Sequence, residues 1–411
     1  VAVPGYSLLA EMMRMRSYRF VVLGALAVLV AIGLLFLFVP TAPPTPRVLS
    51  APTSVVFLIG DGMGFEQVKA ASLFLNGKEG ALSFESWSHQ AEVSTYSASS
   101  EVTDSAASAT AMATGHKVNN GVISQAIPGD GRPLETILER FAAMGRSTGL
   151  VTTTEITHAT PACFAAHTMD RGKNPDIAEC YLNQTRPNVL FGGGGTLKGD
   201  AVLAAGYTVV TDRPGLEELD TESVTHVAGL FGEGHMPYEY DYFTKKHLEY
   251  DRLPRLSEMS RVALRILSKN PQGFFLMIEG GKIDHAGHGN DLERNVYETI
   301  EFARTAEVVM EHIGERRDTL VIVTADHETG GLKVVCGNGK GTLPTVTWST
   351  KGHTPVHVPA YAWGVNAHRV TGIMDNTQWF QICLGLAPLP APTTMPAVAE
   401  RELSATFAAT R

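Results

Sequence analysis

The sequence predicts an α/β fold, doubly wound, with a mostly parallel central sheet and helices on both faces. Three observations carry that prediction. Short, continuous apolar runs such as Ser54 to Gly60 recur along the chain, as expected of strands buried on both sides. Helical patterns separate them, giving the alternation of a wound parallel sheet. Acids, histidines and a serine fall just after the apolar runs, the edge where open α/β sheets bind ligands.

Composition permits such a fold. The chain has 411 residues, 44% of them hydrophobic and 18% charged, enough to build a core and too apolar for a disordered chain. A net charge of −9 excludes a basic nucleic-acid face, so no nucleic acid is expected as a dedicated partner. An acidic protein that handles an anion needs local positive charge. Metal ions supply it, and 14 histidines make them worth pursuing.

The amino-terminal region stands apart from the fold. Residues 1–19 read as a cytoplasmic segment. Phe20 to Val39 is an apolar run without charge, preceded by Arg14, Arg16 and Arg19. About 20 apolar residues span a bilayer, and the basic flank stays inside. An uncleaved signal-anchor is preferred to a cleaved signal peptide, because the Pro-rich stretch from Pro40 to Pro46 is a poor cleavage site and a good linker. Either places the catalytic part on the periplasmic or extracellular side of the cytoplasmic membrane, anchored or secreted. Val1 precedes Met12, Met13 and Met15, which reads as a misplaced or non-standard translation start. The expected division is a linker over residues 40–53, a catalytic domain over 54–386 and a Pro/Ala-rich flexible tail over 387–411.

Within the domain, Ser54 to Gly60 is a strand stopped by Asp61-Gly62-Met63-Gly64, and Phe65 to Asn76 is helical. The run Thr103 to Ala111 is small and hydroxylic, with one acid. Small residues let an anion approach the backbone at a helix start, which makes Ser105 a candidate nucleophile; an Ala-rich helix capped by Asp104 fits the same residues. A helix is expected over Pro133 to Met144, then a strand over Thr148 to Thr153 leading to His158 and Thr160. Helix Leu256 to Lys269 precedes strand Phe274 to Ile278, which ends at Glu279 before Asp284, His285 and His288. Helix Leu292 to Ile313 precedes strand Leu320 to Thr324, which runs into Asp326 and His327. His353 stands before a last strand, Val356 to Trp363. Four cysteines in an oxidising compartment admit the pairs Cys163–Cys180 and Cys336–Cys383.

A single carboxylate after a strand is usually a helix cap, and a lone histidine is usually a satisfied polar residue. Five such ends carrying Asp, Glu, His and Ser are not explained by capping. Asp284-x3-His288 has the spacing of two ligands on one helical turn, and Asp326 with His327 offers an oxygen and a nitrogen from one turn.

These motifs resemble those of the alkaline phosphatases. The match rests on Ile59-Gly60-Asp61-Gly62-Met63-Gly64, Thr103-Asp104-Ser105-Ala106-Ala107, His158-Ala159-Thr160-Pro161, Glu279-Gly280-Gly281-Lys282-Ile283-Asp284-His285, Thr324-Ala325-Asp326-His327-Glu328-Thr329-Gly330-Gly331 and His353-Thr354. The resemblance implies hydrolysis of small phosphate monoesters through a phosphoserine on Ser105. It implies two Zn2+ and one Mg2+: Asp284, His288 and His353 around one zinc; Asp61, Asp326, His327 and the Ser105 oxygen around the second; Asp61, Thr160 and Glu279, with His158 beside them, around magnesium. Arg171 falls at the phosphate-clamping position, and Asp104 would orient it. Two positions that vary within the family carry His158 and His285, a pair that implies a weaker hold on the third metal and on phosphate. Only 21 residues separate Gly331 from His353, so the crown insertion of larger members is small or absent, and the homodimer of the family is a weaker expectation. Residues 172–255 contain a Gly192 to Gly195 run and an aromatic segment, Tyr238 to Phe243, which reads as a packed surface loop or a lid. A phosphodiesterase or another hydrolase of the superfamily remains the nearest alternative, and a zinc-binding protein without turnover a more distant one.

Overall fold

The computed structural model describes residues 51–244 and 251–387. The apolar run at 20–39, the linker up to residue 50 and the tail after residue 387 lie outside the described residues. Among the described residues no helix is long and apolar enough to cross a membrane.

Fourteen strands are described: β1 (Ser54–Gly60), β2 (His89–Ser94), β3 (Ser147–Glu155), β4 (Val189–Gly193), β5 (Thr208–Val210), β6 (Val227–Leu230), β7 (Phe274–Gly280), β8 (Thr319–Ala325), β9 (Glu328–Thr329), β10 (Leu332–Cys336), β11 (Thr345–Trp348), β12 (His353–Thr354), β13 (Val358–Gly364) and β14 (Gly372–Asp375). Ten of them form one sheet in the order β14-β2-β13-β8-β1-β7-β3-β4-β6-β5. From β8 to β5 every pairing is parallel, and β13 runs against both its neighbours. All seven residues of β1, of β7 and of β8 are buried, which is why their sequences are continuously apolar rather than alternating.

Register decides where the chemistry goes. Gly60 sits beside both Gly280 of β7 and Ala325 of β8, and Glu279 sits beside Ile59 and Thr152. Asp61 and Asp326 therefore leave two adjacent parallel strands at one level, with Glu279 two residues below them.

Five helices matter for the site: α1 (Phe65–Asn76), α2 (Ser105–Thr114), α3 (Leu256–Leu267), α4 (Lys282–Gly289) and α5 (Leu292–Ile313). The expected bounds of α1 and α5 match those observed. The helix expected over 133–144 is shorter, Ile137–Ala143, because Thr136 caps it by accepting from the Glu139 N–H. The last strand begins two residues later than expected, at Val358. The 21 residues before His353 hold only the antiparallel pair β10 and β11, so the crown is small.

The proposed disulfides do not form: all four cysteines are free. Cys163 instead donates to the Ala106 carbonyl at 3.1 Å and receives the Thr110 hydroxyl at 3.3 Å, tying its helix to α2. Cys336 is exposed at the end of β10 while Cys383 is buried in the last helix, so that pair has no common surface. Tyr238 to Phe243 is a packed segment, with a short helix Glu239–Thr244 that buries Glu239, Asp241 and Tyr242.

Candidate active site

Ser105 is the first residue of α2, and Asp104 is its cap, accepting from the Ala107 N–H at 3.0 Å. Every residue of α2 is buried. Only small side chains allow a helix to sit this deep, and Ser108 fixes it to the sheet by donating to the Asp326 carbonyl at 2.7 Å. The capped, Ala-rich helix expected of this stretch is present, and its first residue, Ser105, faces the strand ends, 3.3 Å from His327.

Gly62 shows why the turn after β1 carries glycine. Its φ is +73°, and a Cβ there would lie 2.7 Å from the Asp284 Cα. The close approach brings Asp61 toward α4, where Asp284 and His288 occupy one turn as their spacing required.

The histidines are oriented by oxygen acceptors behind them. His353 Nδ1 lies 2.9 Å from the Thr103 carbonyl and His288 Nδ1 2.5 Å from the Lys351 carbonyl. Carbonyls only accept, so both Nδ1 atoms carry a proton, and in the neutral ring Nε2 is the nitrogen left with the lone pair. Those two Nε2 atoms face each other at 3.2 Å, with Asp284 oxygens 3.3 Å from His288 and 3.5 Å from His353. Thr329 does the same for His327: its hydroxyl donates to Asp284 at 2.5 Å and so accepts from His327 Nδ1 at 3.2 Å. His327 Nε2 then points at Ser105 Oγ (3.3 Å), Asp326 (3.2 Å) and Asp61 (3.5 Å).

Lone pairs aimed at lone pairs and carboxylates repel unless a cation lies between them. Both Asp61 oxygens, Asp326 Oδ2, Glu279 Oε1, Thr160 Oγ1 and His158 Nδ1 are buried without a hydrogen-bond partner. Leaving such groups unmet costs about 1–3 kcal/mol each, more when charged. The donor atoms converge in three groups: Asp284, His327 and His353; Asp61, Asp326 and His327; Asp61, His158 and Glu279. His288 joins the first through the contacts above, and Ser105 the second. The donor sets fit metal ions: two mix imidazole and carboxylate, as zinc accepts, and the third is rich in oxygen.

Electrostatics of the ion-free chain give the same picture. Burial and then the charges of Asp326, Asp284 and Glu279 push the Asp61 carboxyl well above the usual range. Burial raises Glu279 to about 7 and Asp326 to about 6. The Asp284 hydrogen bond lifts His288 to about 9. Asp61, Glu279, Asp326 and His288 thus favour protons where a cation would replace them, while burial pushes His158 and His327 well below the usual imidazole range.

Arg171 stands over the start of α2. It donates to Asp104 at 3.0 Å and to His158 Nε2 at 3.3 Å, and its own N–H is held by the Gly121 carbonyl. Asp104 therefore serves as helix cap and as guanidinium partner. His285 packs edge-on against His158, ring centroids 6.0 Å apart. A third imidazole was not anticipated: His235 lies 4.7 Å from His285 and 5.6 Å from His158 by ring centroids. The Gly192 to Gly195 run delivers it, since a Cβ on Gly193 would lie 1.7 Å from the Gly234 carbonyl oxygen. The orienting residues Thr329 and Thr152, which donates to Glu279, were also missed; Thr329 lies within a quoted motif and Thr152 in the strand expected over 148–153.

The alkaline phosphatase family profile matches residues 53–342, most of the chain. The chain belongs to the alkaline phosphatase family. Alkaline phosphatase 3 of Bacillus subtilis is 36% identical over 68% of this chain and 62% of its own length, so the match spans less than two thirds of that relative. Streptomycin-6-phosphate phosphatase of Streptomyces griseus is 34% identical over 85% of this chain and 94% of its own. Among solved structures, alkaline phosphatase from the Antarctic bacterium TAB5 superposes with a TM-score of 0.70 at 30% identity, covering 82% of this chain and 98% of that one. A histidine-to-glutamate variant of the TAB5 protein has Mg bound in its M3 site. The family and the wound sheet expected from the sequence are those found.

Proposed function

We propose that this protein hydrolyses small phosphate monoesters and releases inorganic phosphate through a covalent phosphoserine on Ser105. The observation that carries the reading is the convergence of three oriented Nε2 lone pairs and two buried carboxylates beside the Ser105 hydroxyl. Asp284, His288 and His353 would hold one zinc, Asp61, Asp326 and His327 with Ser105 a second, and Asp61, Thr160 and Glu279 with His158 a magnesium. When bound, the two zinc ions would lower the pKa of the attacking hydroxyl and take up charge on the leaving oxygen.

The remaining steps belong to the chain. Ser105 Oγ, fixed at the mouth of α2, attacks phosphorus in line with the ester oxygen; the P–O ester bond breaks, the alcohol leaves with the serine proton, and water then attacks the phosphoserine to free phosphate and restore Ser105. The planar fork of Arg171 takes two non-bridging oxygens, and Asp104 keeps that fork in position. The free N–H groups of the first turn of α2 favour the anion further. Little else grips the leaving group, so broad specificity is expected. The catalytic domain would act on the outer side of the cytoplasmic membrane, carried there by the apolar segment at 20–39, with a homodimer as the family's assembly.

Phosphate release from an aryl phosphate and from a bis-aryl phosphate, before and after chelation, tests this reading. A monoester preference lost on chelation, with radiolabelled phosphate trapped on Ser105, is the expected result. Preference for the diester would replace it with a phosphodiesterase. A phosphorylated aminocyclitol, the substrate type in the name of the S. griseus relative, belongs in the same comparison.

A further inference from the structure

His158 stands between two groups that make the same demand of it. One ring nitrogen, Nε2, lies 3.3 Å from an Arg171 guanidinium nitrogen. The other, Nδ1, lies 4.0 Å from Glu279 Oε1 and belongs to the converging group with Asp61. A guanidinium only donates, so the nitrogen facing it must present a lone pair. A cation also needs a lone pair. A neutral imidazole has one, and an imidazolium has none.

We propose that His158 serves either Arg171 or a divalent cation held by Asp61 and Glu279, never both, so that filling that site frees one arm of the Arg171 fork for phosphate. The inference rests on the reading that these residues hold an ion. Without the cation, Nε2 accepts from Arg171 and the Nδ1 proton points toward Glu279, where it meets no partner. With the cation on Nδ1, the proton moves to Nε2 and two N–H groups face each other, which ends the contact with Arg171. The ring has little room to escape this choice. His285 and His235 pack edge-on against it at 6.0 and 5.6 Å between centroids, and His235 is itself anchored by the Glu155 N–H at 3.0 Å.

Two consequences follow. Arg171 keeps Asp104 on one arm and presents the other to an anion, so cation and phosphate assist each other's binding by the same factor. An aspartate at this position would behave differently, because its two oxygens can ligate a cation and accept from Arg171 together. His158→Asp removes the exclusion while keeping a ligand.

The test uses the full chain, zinc-loaded and labelled with 15N-histidine, titrated with Mg2+. Long-range 1H–15N spectra should show the His158 proton moving from Nδ1 to Nε2 as Mg2+ binds. Calorimetry should show Mg2+ tightening inorganic phosphate binding about 5-fold or more, with that gain reduced in His158→Asp. Mg2+ binding by elemental analysis with an unchanged His158 tautomer overturns the inference and leaves the three-ion reading intact. No Mg2+ bound at all overturns both. The native protein carries the spectroscopic readout, so a variant that fails to fold does not remove the test.

Discussion

Two clusters of buried charge share helix α4, and they are built on opposite rules. In one, Asp61, Glu279, Asp284, Asp326 and three histidines converge with no cationic side chain among them, and several of their atoms meet no partner. In the other, Glu239, Glu298, Glu301 and Asp241 are met by protein donors. Arg255 contacts Glu239, the Glu239 N–H donates to Glu298 at 2.6 Å, the Ser257 N–H donates to Glu301 at 3.0 Å, and Arg294 donates to Asp241 at 3.0 Å. Lys282, the first residue of α4, sits 3.9 Å over the Tyr238 ring. Burial alone does not mark function. A cluster that completes itself holds the fold, and one left incomplete around a common point awaits a ligand.

That contrast breaks most sharply at Ser105. Ser105→Ala should lower kcat by ~10^3-fold or more while metal content and thermal midpoint stay at wild-type values; an active variant would remove the serine from the mechanism. Chelation should abolish turnover and lower the midpoint, because ions bind the folded set and not the unfolded chain. Calorimetry with and without chelator reads both. In the self-completed cluster the signs reverse. Arg255→Met should cost about 3–5 kcal/mol of stability by leaving Glu239 buried and unpaired, with the metal-to-protein ratio unchanged in denaturant and elemental measurements.

Smaller effects sharpen the comparison. Arg171→Lys should weaken inorganic phosphate binding ~10-fold, about 1.4 kcal/mol, without loss of metal. Glu298 titrates near 8 instead of 4.5, chiefly through burial and then through Glu239, which is itself raised to about 7. The folded protein therefore binds more protons than the unfolded chain between those values, and this contribution to stability is lost as pH rises through the window. Glu298→Gln, which keeps the acceptor for the Glu239 N–H, should flatten that fall by at most ~1.4 kcal/mol per pH unit. Chemical unfolding at pH 5, 6.5 and 8 checks it.

The difference between the clusters also explains what was legible in the sequence. Asp61, Glu279 and Asp326 stand at the ends of apolar runs, so strand recognition placed them, and α4 was visible in the Asp284–His288 spacing. His353 lies on β12, a two-residue strand paired with β9, too short to show in any pattern; its motif alone identified it. Thr329, Thr152 and His235 act through contacts across distant segments, which periodicity does not encode. The cysteines misled for a similar reason. Cys163 and Cys180 are near in sequence, yet Cys163 turns inward to Ala106 and Thr110. The Glu239–Glu298 cluster gave no signal at all, since each acid lies on a helix where an exposed face is the ordinary expectation.

The register of the four central strands has a consequence for how the molecule comes into being. The Gly62 N–H donates to an Asp326 carboxylate oxygen at 3.1 Å across 264 positions of chain, and β8, which delivers Asp326, inserts directly beside β1. No emerging or partly folded chain holds Asp61 opposite Asp326 until β8 has joined the sheet. Contacts of such long sequence separation form late and slowly. Ion capture by Asp61 and Asp326 together therefore waits on the pairing of β8 with β1, and a chain that has not closed its sheet has no completed trap for metal.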